Sequence, residues 1–450
     1  MKHIYHSSAF DTNIPVNSWW LESAGDPVET TDLAGEENAT CDIAVIGAGY
    51  AGLSAAYHLC KDHGASVRVL DAAYPGFGGS GRNGGFVGPG ASKISAEQTV
   101  KRVGMDEAKR FFAWQEDAID LVDQVLSDEG IDADKAGDGE VGFAHKPNRV
   151  AGMRTYVDEM NKTFGSGLRF MDRDECADHG MAGPQVHGGV AIPRCFGVHP
   201  LKYCRGLARA AQAQGAIIHG EAPVTGWRKE NGLHVLSTPK GEIRAKQVII
   251  ATNGYTSEDM NPGLTGRVLP CLSNILITRP LSAEEQAAQG WTTHDITYDS
   301  RNLLHYIRLL PDGRFMFGGR GGWDASPAGK AKMHQYMINT FREMFPAWAH
   351  VEFTHFWNGF ICMTADLVAR ISHPQGDETV WSALAWHGSG VAAATSAGRM
   401  TARLAAGAAT LDKDVPRIMQ GLPPKFPFPF LRTRYLHAAY LAYYVKDEWL

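Results

Sequence analysis

Gly47, Gly49 and Gly52 stand at the spacing G-x-G-x-x-G. They follow an apolar run, "IAVI", and open a stretch of small and apolar residues from Ala51 to Cys60. A second apolar run ends in an acid, Asp71, nineteen residues after Gly52. The chemistry this serves is dinucleotide binding. The first glycine permits a tight turn, the second lets backbone approach a pyrophosphate, and the third lets helix pack on strand. The phosphates then meet the free N–H groups of a helix N-terminus. An acid at the end of the second strand accepts hydrogen bonds from a ribose diol and repels a 2′-phosphate. Tyr50, Ala51 and Ala72 flank these positions and are candidate contacts with them. NAD and FAD both fit so far.

A second stretch, "GFGGSGRNGGFVGPG" at residues 76–90, favours FAD. Glycine-rich sequence usually reads as flexible linker. This one lies just beyond the ribose-binding acid, where an NAD dehydrogenase would carry on through its doubly wound sheet. Glycines there admit an extended cofactor against the backbone. Arg82 and Asn83, side by side near its centre, are the polar groups to orient it. An NAD-linked dehydrogenase is therefore the weaker reading.

The elements that must position these residues are legible in outline. "CDIAVIGAGYAGLSAAYHLCKDHGASVRVLD" reads as strand, turn, helix, strand. "IAVI" is continuously apolar, as a buried parallel strand should be. Residues 93–135 have helical periodicity. "HPLKYCRGLARAAQAQGAIIHG" is helix then strand, and "VLSTPKGEIRAKQVIIATNGY" is a hairpin running into a buried strand. Residues 265–355 are mainly β, with a helix near 329–345. Strand and helix return over 380–406. The fold class expected is α/β: a Rossmann-like dinucleotide domain interrupted by an α+β substrate domain with a large mixed or antiparallel sheet. The division expected is an N-terminal extension over 1–40, a dinucleotide domain from 41–92, 196–256 and 357–410, a substrate domain from 93–195 and 257–356, and a tail over 411–450.

The 450 residues are 44% hydrophobic and 20% charged, an ordinary globular balance. A net charge of −6 and the lack of a basic run argue against nucleic acid. None of the seven cysteines forms a C-x-x-C pair, so neither a zinc site nor a redox dithiol is expected, and no metal. No stretch is apolar enough for a membrane span, and the N-terminus lacks the apolar core of a signal peptide. A soluble cytoplasmic enzyme is the expectation. The aromatic tail "FLRTRYLHAAYLAYYVKDEWL" is expected to be a packed terminal helix, and Trp19 and Trp20 a packed extension.

Several stretches together resemble the D-amino-acid-oxidase-type flavoproteins, and within them the γ-glutamylputrescine oxidase group. They are "VIGAGYAGLSAAYHL", "GFGGSGRNGG", "VHPLKYCRGLARAA", "VIIATNGY", "LPCLSNILITRPLS", "NLLHYIRLLPDGRFMFGG", "WNGF", "GVAAATSAGRM" and "FPFP", in the same order from about residue 40 onward. The resemblance implies one FAD in a glutathione-reductase-type domain. Gly47, Gly49, Gly52 and Asp71 would hold its ADP half. Gly79, Ser80, Arg82, Asn83, Gly84 and Gly85 would lie along the pyrophosphate and isoalloxazine. Val224 would contact the adenine side, with Thr252, Asn253 and Gly254 near the ADP. Gly388, Ser389, Gly390 and Val391 would approach the pyrimidine end of the flavin. Two places depart from the group's pattern: Ser389 stands where a histidine is common, with His387 just before, and Ala369 and Ser372 stand where a proline and a glycine are favoured. Gly359 occupies the position of the cysteine that attaches FAD in some sarcosine oxidases, so non-covalent FAD is expected.

The resemblance further implies oxidation of an amine or amino-acid-like small molecule, with a γ-glutamyl polyamine as the group's substrate. Hydride would pass to flavin N5, the imine would hydrolyse, and O2 or another acceptor would reoxidise the flavin. Tyr306 and Arg308 alternate with His305 and Ile307, so one pair faces the flavin in each register. Tyr306 and Arg308 are candidates to hold a substrate carboxylate, and Trp357 and His387 to wall the site or supply charge. Other readings stay open: a D-amino-acid or opine dehydrogenase using a non-oxygen acceptor, and a flavoprotein that binds FAD without turnover.

Overall fold

The computed structural model describes residues 3–36 and 39–449. A first sheet orders its strands Arg370–Ser372, Val380–Leu384, Gly241–Ile250, Ala39–Ile46, Val67–Leu70 and Ile217–His219. All neighbours from Val380–Leu384 onward are parallel. The hairpin Gly226–Glu230 and Leu233–Thr238 extends antiparallel from Gly241–Ile250. Alternation along each strand splits its side chains between two cores. Ile43, Val45, Val67 and Val69 pack with the helices Tyr50–His63, Pro200–Ala213 and Val391–Ala405. Ala44, Ile46 and Leu70 face the other way, with Leu236 and Ile243. The two faces therefore bury continuous apolar sequence, which is why "IAVI" has no polar member.

The second sheet has eight strands, in the order Phe353–Thr364, Val268–Pro280, Arg314–Arg320, His305–Leu309, Ile296–Asp299, Glu140–Phe143, Gly189–Ile192 and Arg169–Met171. It is mixed, because Ile296–Asp299 runs parallel to Glu140–Phe143 while the other pairs are antiparallel. One face buries Ile307, Phe315 and Phe317 against the helix Pro327–Met344 and Trp348. The opposite face presents Tyr306, Met316, Ile275 and Trp357 toward the first domain. His305 lies on the helix side, paired with Asp299 and stacked on Phe317, so the register is the one that turns Tyr306 toward the first domain.

Residues 357–364 differ from the sequence-based division. They belong to the second sheet, because Phe353–Thr364 pairs with Val268–Pro280 along nearly its whole length. The first sheet resumes only at Arg370.

Both ends of the chain pack on the body. The short helix Trp19–Ser23 buries Trp20. Near the other end, Arg432–Glu448 lays Leu436 on Leu269 and Cys271. Arg432 at its start donates to the Val268 carbonyl at 2.6 Å and pairs with Glu258 at 2.8 Å. Asp447 near its end accepts from the backbone N–H groups of Asn302 and Leu303 at 2.9 and 3.0 Å. No helix among the described residues is long and apolar enough to cross a membrane.

Candidate active site

A cavity of about 420 Å³ runs between the two sheets. Its first wall is the turn after Ala39–Ile46. Gly47 has φ +105°, and a Cβ there would lie 3.0 Å from the Ala251 carbonyl oxygen. A Cβ at Gly52 would lie 1.9 Å from the Gly47 oxygen, so no other residue fits where helix crosses strand. Gly47, Gly49, Tyr50 and Ala51 line the cavity; Gly52 packs behind them. Asp71 and Ala72 line it as well. The Asp71 carboxylate accepts from the Ala48 and Ala73 N–H groups at 2.8 and 2.9 Å, and burial raises its pKa. Each oxygen keeps a lone pair for a further donor.

The glycine-rich stretch is a built loop. Asn83 ties it together: its amide nitrogen donates to the Gly79 and Ser80 carbonyls at 3.0 and 2.9 Å, and its amide oxygen accepts from Gly85 N–H at 2.7 Å. Ser80 Oγ accepts from Tyr50 N–H at 3.0 Å, joining this loop to the first turn. Arg82 stacks on Phe77, 4.3 Å from the ring centroid, and donates from Nε to the Phe77 carbonyl at 2.6 Å. Gly79, Ser80, Arg82, Asn83 and Gly84 line the cavity.

Three consecutive carbonyls of this loop are held from behind. Trp357 Nε1 donates to Arg82 O at 3.0 Å, Trp20 Nε1 to Asn83 O at 2.9 Å, and Arg308 Nη1 to Gly84 O at 2.9 Å. Arg308 also donates to Val198 O at 2.6 Å. This corrects two sequence expectations. Trp357 and Arg308 are buried and turn away from the cavity; Trp357 Nε1 and Arg308 Nη1 donate to backbone carbonyls, while Arg308 Nε is buried with no partner among the described residues. Gly85, at φ +73°, is packed against the Val198 oxygen and Arg308, outside the cavity lining.

The third wall comes from the strand ends. Val224 lines the cavity beside Ala222, as do Thr252 and Asn253. Asn253 Oδ1 accepts from Ala385 N–H at 2.8 Å and so fixes the turn that carries Gly388 to Val391. Gly254 instead lies under Phe360, where a Cβ would meet the Phe360 Cβ at 2.8 Å. Gly388, Ser389, Gly390 and Val391 all line the cavity, and the helix Val391–Ala405 opens onto it. His387 does not line it. At φ +53° its ring is fully buried, with Nε2 3.3 Å from Thr364 Oγ1, and burial depresses its pKa to about 3. It is a neutral structural histidine in this turn.

Beyond the loop, the second sheet supplies the cavity's other end. Tyr306 lies under Gly84, its hydroxyl 2.8 Å from Ser273 Oγ and its pKa pushed up to about 12 by burial. Arg320, Lys93, Glu140, Tyr156 and Tyr298 also line this end. The sequence reading missed these five. Arg320 lies two residues beyond Gly318, the cross-strand partner of Tyr306, and so on the same face of the sheet, but Lys93 and Glu140 come from a loop and a strand of unrelated sequence. From the N-terminal extension, His3, Phe10 and Thr12 reach the cavity, with Phe10 stacked 5.2 Å from Phe360.

The site fits a dinucleotide. Two helices, Tyr50–His63 and Val391–Ala405, begin at it, and neither has an acid in its first turn to oppose phosphate. Backbone lines the near end, where a Cβ at Gly49 would strike Ser80 Oγ at 2.8 Å. The model of one family, FAD dependent oxidoreductase (DAO), matches residues 42–404.

This chain belongs to the FAD-dependent oxidoreductase family.

It is thus an FAD-dependent enzyme. It is similar to a probable oxidoreductase OrdL of Rhizobium meliloti, 30% identical over 92% of this chain and 93% of that protein. It is also similar to the γ-glutamylputrescine oxidoreductase of Escherichia coli, 28% identical over 88% of this chain and 90% of that protein. Among solved structures, glycine oxidase from Geobacillus kaustophilus shares the fold at TM-score 0.68 and 18% identity, over 85% of this chain and 99% of that one. L-amino acid deaminase from Proteus myxofaciens does so at TM-score 0.68 and 17% identity, over 90% and 95%. The cysteine facing this family's cofactor cavity, Cys362, is fully buried with its thiol pKa pushed up, so it is a poor nucleophile toward FAD.

Proposed function

We propose that this enzyme oxidises a C–N bond in an amine or amino-acid-like substrate, and that a γ-glutamyl polyamine belongs to its substrate range. The observation that carries the reading is one cavity with two kinds of wall. A glycine-lined cradle with two helix N-termini forms one end, and Tyr306 with Arg320 forms the other. In this reading Asp71 and Val224 hold the adenosine end. Gly47, Gly49 and Ser80 hold the pyrophosphate, and Arg82, Gly84 and Gly388 to Val391 border the ring system. When bound, FAD supplies the two-electron acceptor for the C–H next to nitrogen. The similarity to a γ-glutamylputrescine oxidoreductase supports the choice of amine.

The chain's own part is positioning and drying. Arg320 lines the cavity and has no acid partner among the described residues, so its guanidinium can donate to a polar group of the bound substrate or cofactor. Tyr306 keeps its proton at neutral pH and is a donor. Phe86 and Leu304 exclude water. The imine product hydrolyses to carbonyl and amine in water, and we propose O2 as the final acceptor, giving H2O2.

The test is anaerobic mixing of the holoenzyme with a panel of amines, N-methyl amino acids and γ-glutamyl amides. Loss of the oxidised-flavin band with an amine supports the reading, and failure of every compound overturns it. Oxygen uptake in air then tests the acceptor; reduction of dyes alone would favour a dehydrogenase. With Tyr306 near 12 and His387 near 3, neither residue titrates at intermediate pH. The reduction rate should rise with pH as the substrate amine loses its proton, with Glu140, pushed up to about 7, and Lys93, lowered, also titrating in the same cavity. A flat rate between about pH 6 and about pH 9 would count against reaction of the neutral amine.

A further inference from the structure

Lys93 and Glu140 both line the far end of the cavity, with Tyr156 and Tyr298. They come from opposite sides. Glu140 is the first residue of the strand Glu140–Phe143 in the second sheet. Lys93 sits on a loop whose backbone is fixed by a hydrogen bond from Lys93 N–H to Leu367 O at 2.9 Å. Room has been left for the carboxylate: a Cβ at Gly88 would lie 2.2 Å from Glu140 Oε2. Among the described residues, no ion pair joins either side chain to the other or to another charged residue, and the Lys93 amino group makes no hydrogen bond. The Glu140 carboxylate lies beside the Cys195 thiol and within electrostatic reach of Lys93, Tyr156 and Tyr298.

Lys93, open to the cavity, and Glu140, buried at its wall, lie within electrostatic reach of each other, yet no ion pair closes between them among the described residues, which leaves both charges available to a bound ligand. Burial pushes Glu140 up to about 7, and Lys93, a cation close to Arg320, is lowered from the ordinary lysine value. The ligand that relieves both carries both signs. A diamine would satisfy Glu140 and be repelled by Lys93. A dicarboxylate would satisfy Lys93 and be repelled by Glu140. Lys93 is also within electrostatic reach of Arg320, which lines the same cavity.

We infer that Lys93 and Glu140 form a specificity subsite for an α-amino-acid head group on the non-reacting end of the substrate, with its carboxylate on Lys93 and its ammonium on Glu140. This rests on the amine-oxidising reading above and adds the residues that choose among amines. Neither residue takes part in the oxidation. Their work is to hold the far end of a long substrate so that its reacting carbon stays at the Tyr306 end.

The experiment uses the FAD-loaded enzyme and four ligands: γ-glutamylputrescine, its α-N-acetyl derivative, its α-carboxamide, and N-acetylputrescine, which lacks the head group. Dissociation constants are read anaerobically from the flavin spectrum in the wild type, Glu140→Gln and Lys93→Met. Glu140→Gln should weaken the parent compound and the α-carboxamide about tenfold and leave the α-N-acetyl derivative nearly unchanged. Lys93→Met should weaken the parent and the α-N-acetyl derivative about tenfold and spare the α-carboxamide. N-acetylputrescine should change less than about twofold in either. Lys93→Arg, which keeps the charge, should bind the parent within about threefold of wild type. Equal loss across all four ligands, or no loss with the parent, would overturn the subsite. If N-acetylputrescine reduces the flavin while the head group has no effect, this inference fails and the amine reading stands. If no amine reduces it, the amine reading fails and takes this one with it.

Discussion

The carbonyls of Arg82, Asn83 and Gly84 each accept from a different side chain, those of Trp357, Trp20 and Arg308. An apparently loose glycine stretch is thereby fixed along one edge, which leaves its other edge, with the Arg82 guanidinium, to face the cavity. Arg82→Ala should keep this edge intact, since its carbonyl remains, and remove the cation stacked on Phe77. The expected result is about tenfold weaker FAD retention or a correspondingly slower reduction, read by flavin release and stopped-flow absorbance. Normal retention and reduction in Arg82→Ala would return the stretch to the status of a spacer. At this scale the sequence was legible where residue type and backbone geometry coincide. Gly47, Gly49 and Asp71 stand where motif spacing put them. It was illegible for Arg308 and for Trp357, expected to hold a carboxylate and to wall the site, because a side-chain N–H donor serves a backbone carbonyl equally well. Only the fold reveals which they meet. His387 misled for a related reason: a positive φ turns the ring under Thr364, and position next to Gly388 does not show that.

Elements were legible where burial is continuous or alternates cleanly. The strand-turn-helix around Gly47 to Gly52 is the clearest. A methyl group at position 52 would lie 1.9 Å from the Gly47 oxygen, so the helix Tyr50–His63 must lift from its strand. Gly52→Ala should destabilise the domain by about 1–3 kcal/mol and abolish FAD binding, because both helix and turn move. Denaturant unfolding and flavin content measure the two effects; wild-type values for both would show that the contact relaxes without cost. Phe353–Thr364 was the element the sequence disguised. Asn358 and Gly359 interrupt its apolar run, because the Arg82 side chain packs over Gly359, 3.1 Å from where a Cβ would be. A local demand of the site thus erased the strand's own signal, and the expected domain boundary fell at residue 357, inside the strand.

For the whole molecule, the cavity is completed by parts remote in sequence. The helix Arg432–Glu448 reaches back to the loop before His305–Leu309, where Asp447 accepts from Asn302 and Leu303 N–H. The next residue, Leu304, lines the cavity. Asp447→Ala should therefore lower stability by about 1–3 kcal/mol and also raise the substrate KM, because two half-buried N–H groups lose their acceptor and the loop loosens. A loss of stability with an unchanged KM would confine the tail to a packing role. None of this long-range closure was visible along the chain, since hydropathy reports that a face is buried but not what buries it. The architecture as a whole was visible, because alternating α/β and β segments leave few ways to build two sheets around one cofactor. The central claim is that the glycine cradle and the Tyr306 end form one redox site for an amine. It is tested most directly by anaerobic titration of the holoenzyme with γ-glutamylputrescine. The account predicts loss of the oxidised-flavin band at one equivalent and its return when air is admitted. A band that stays unchanged with this and every other amine in excess would contradict it.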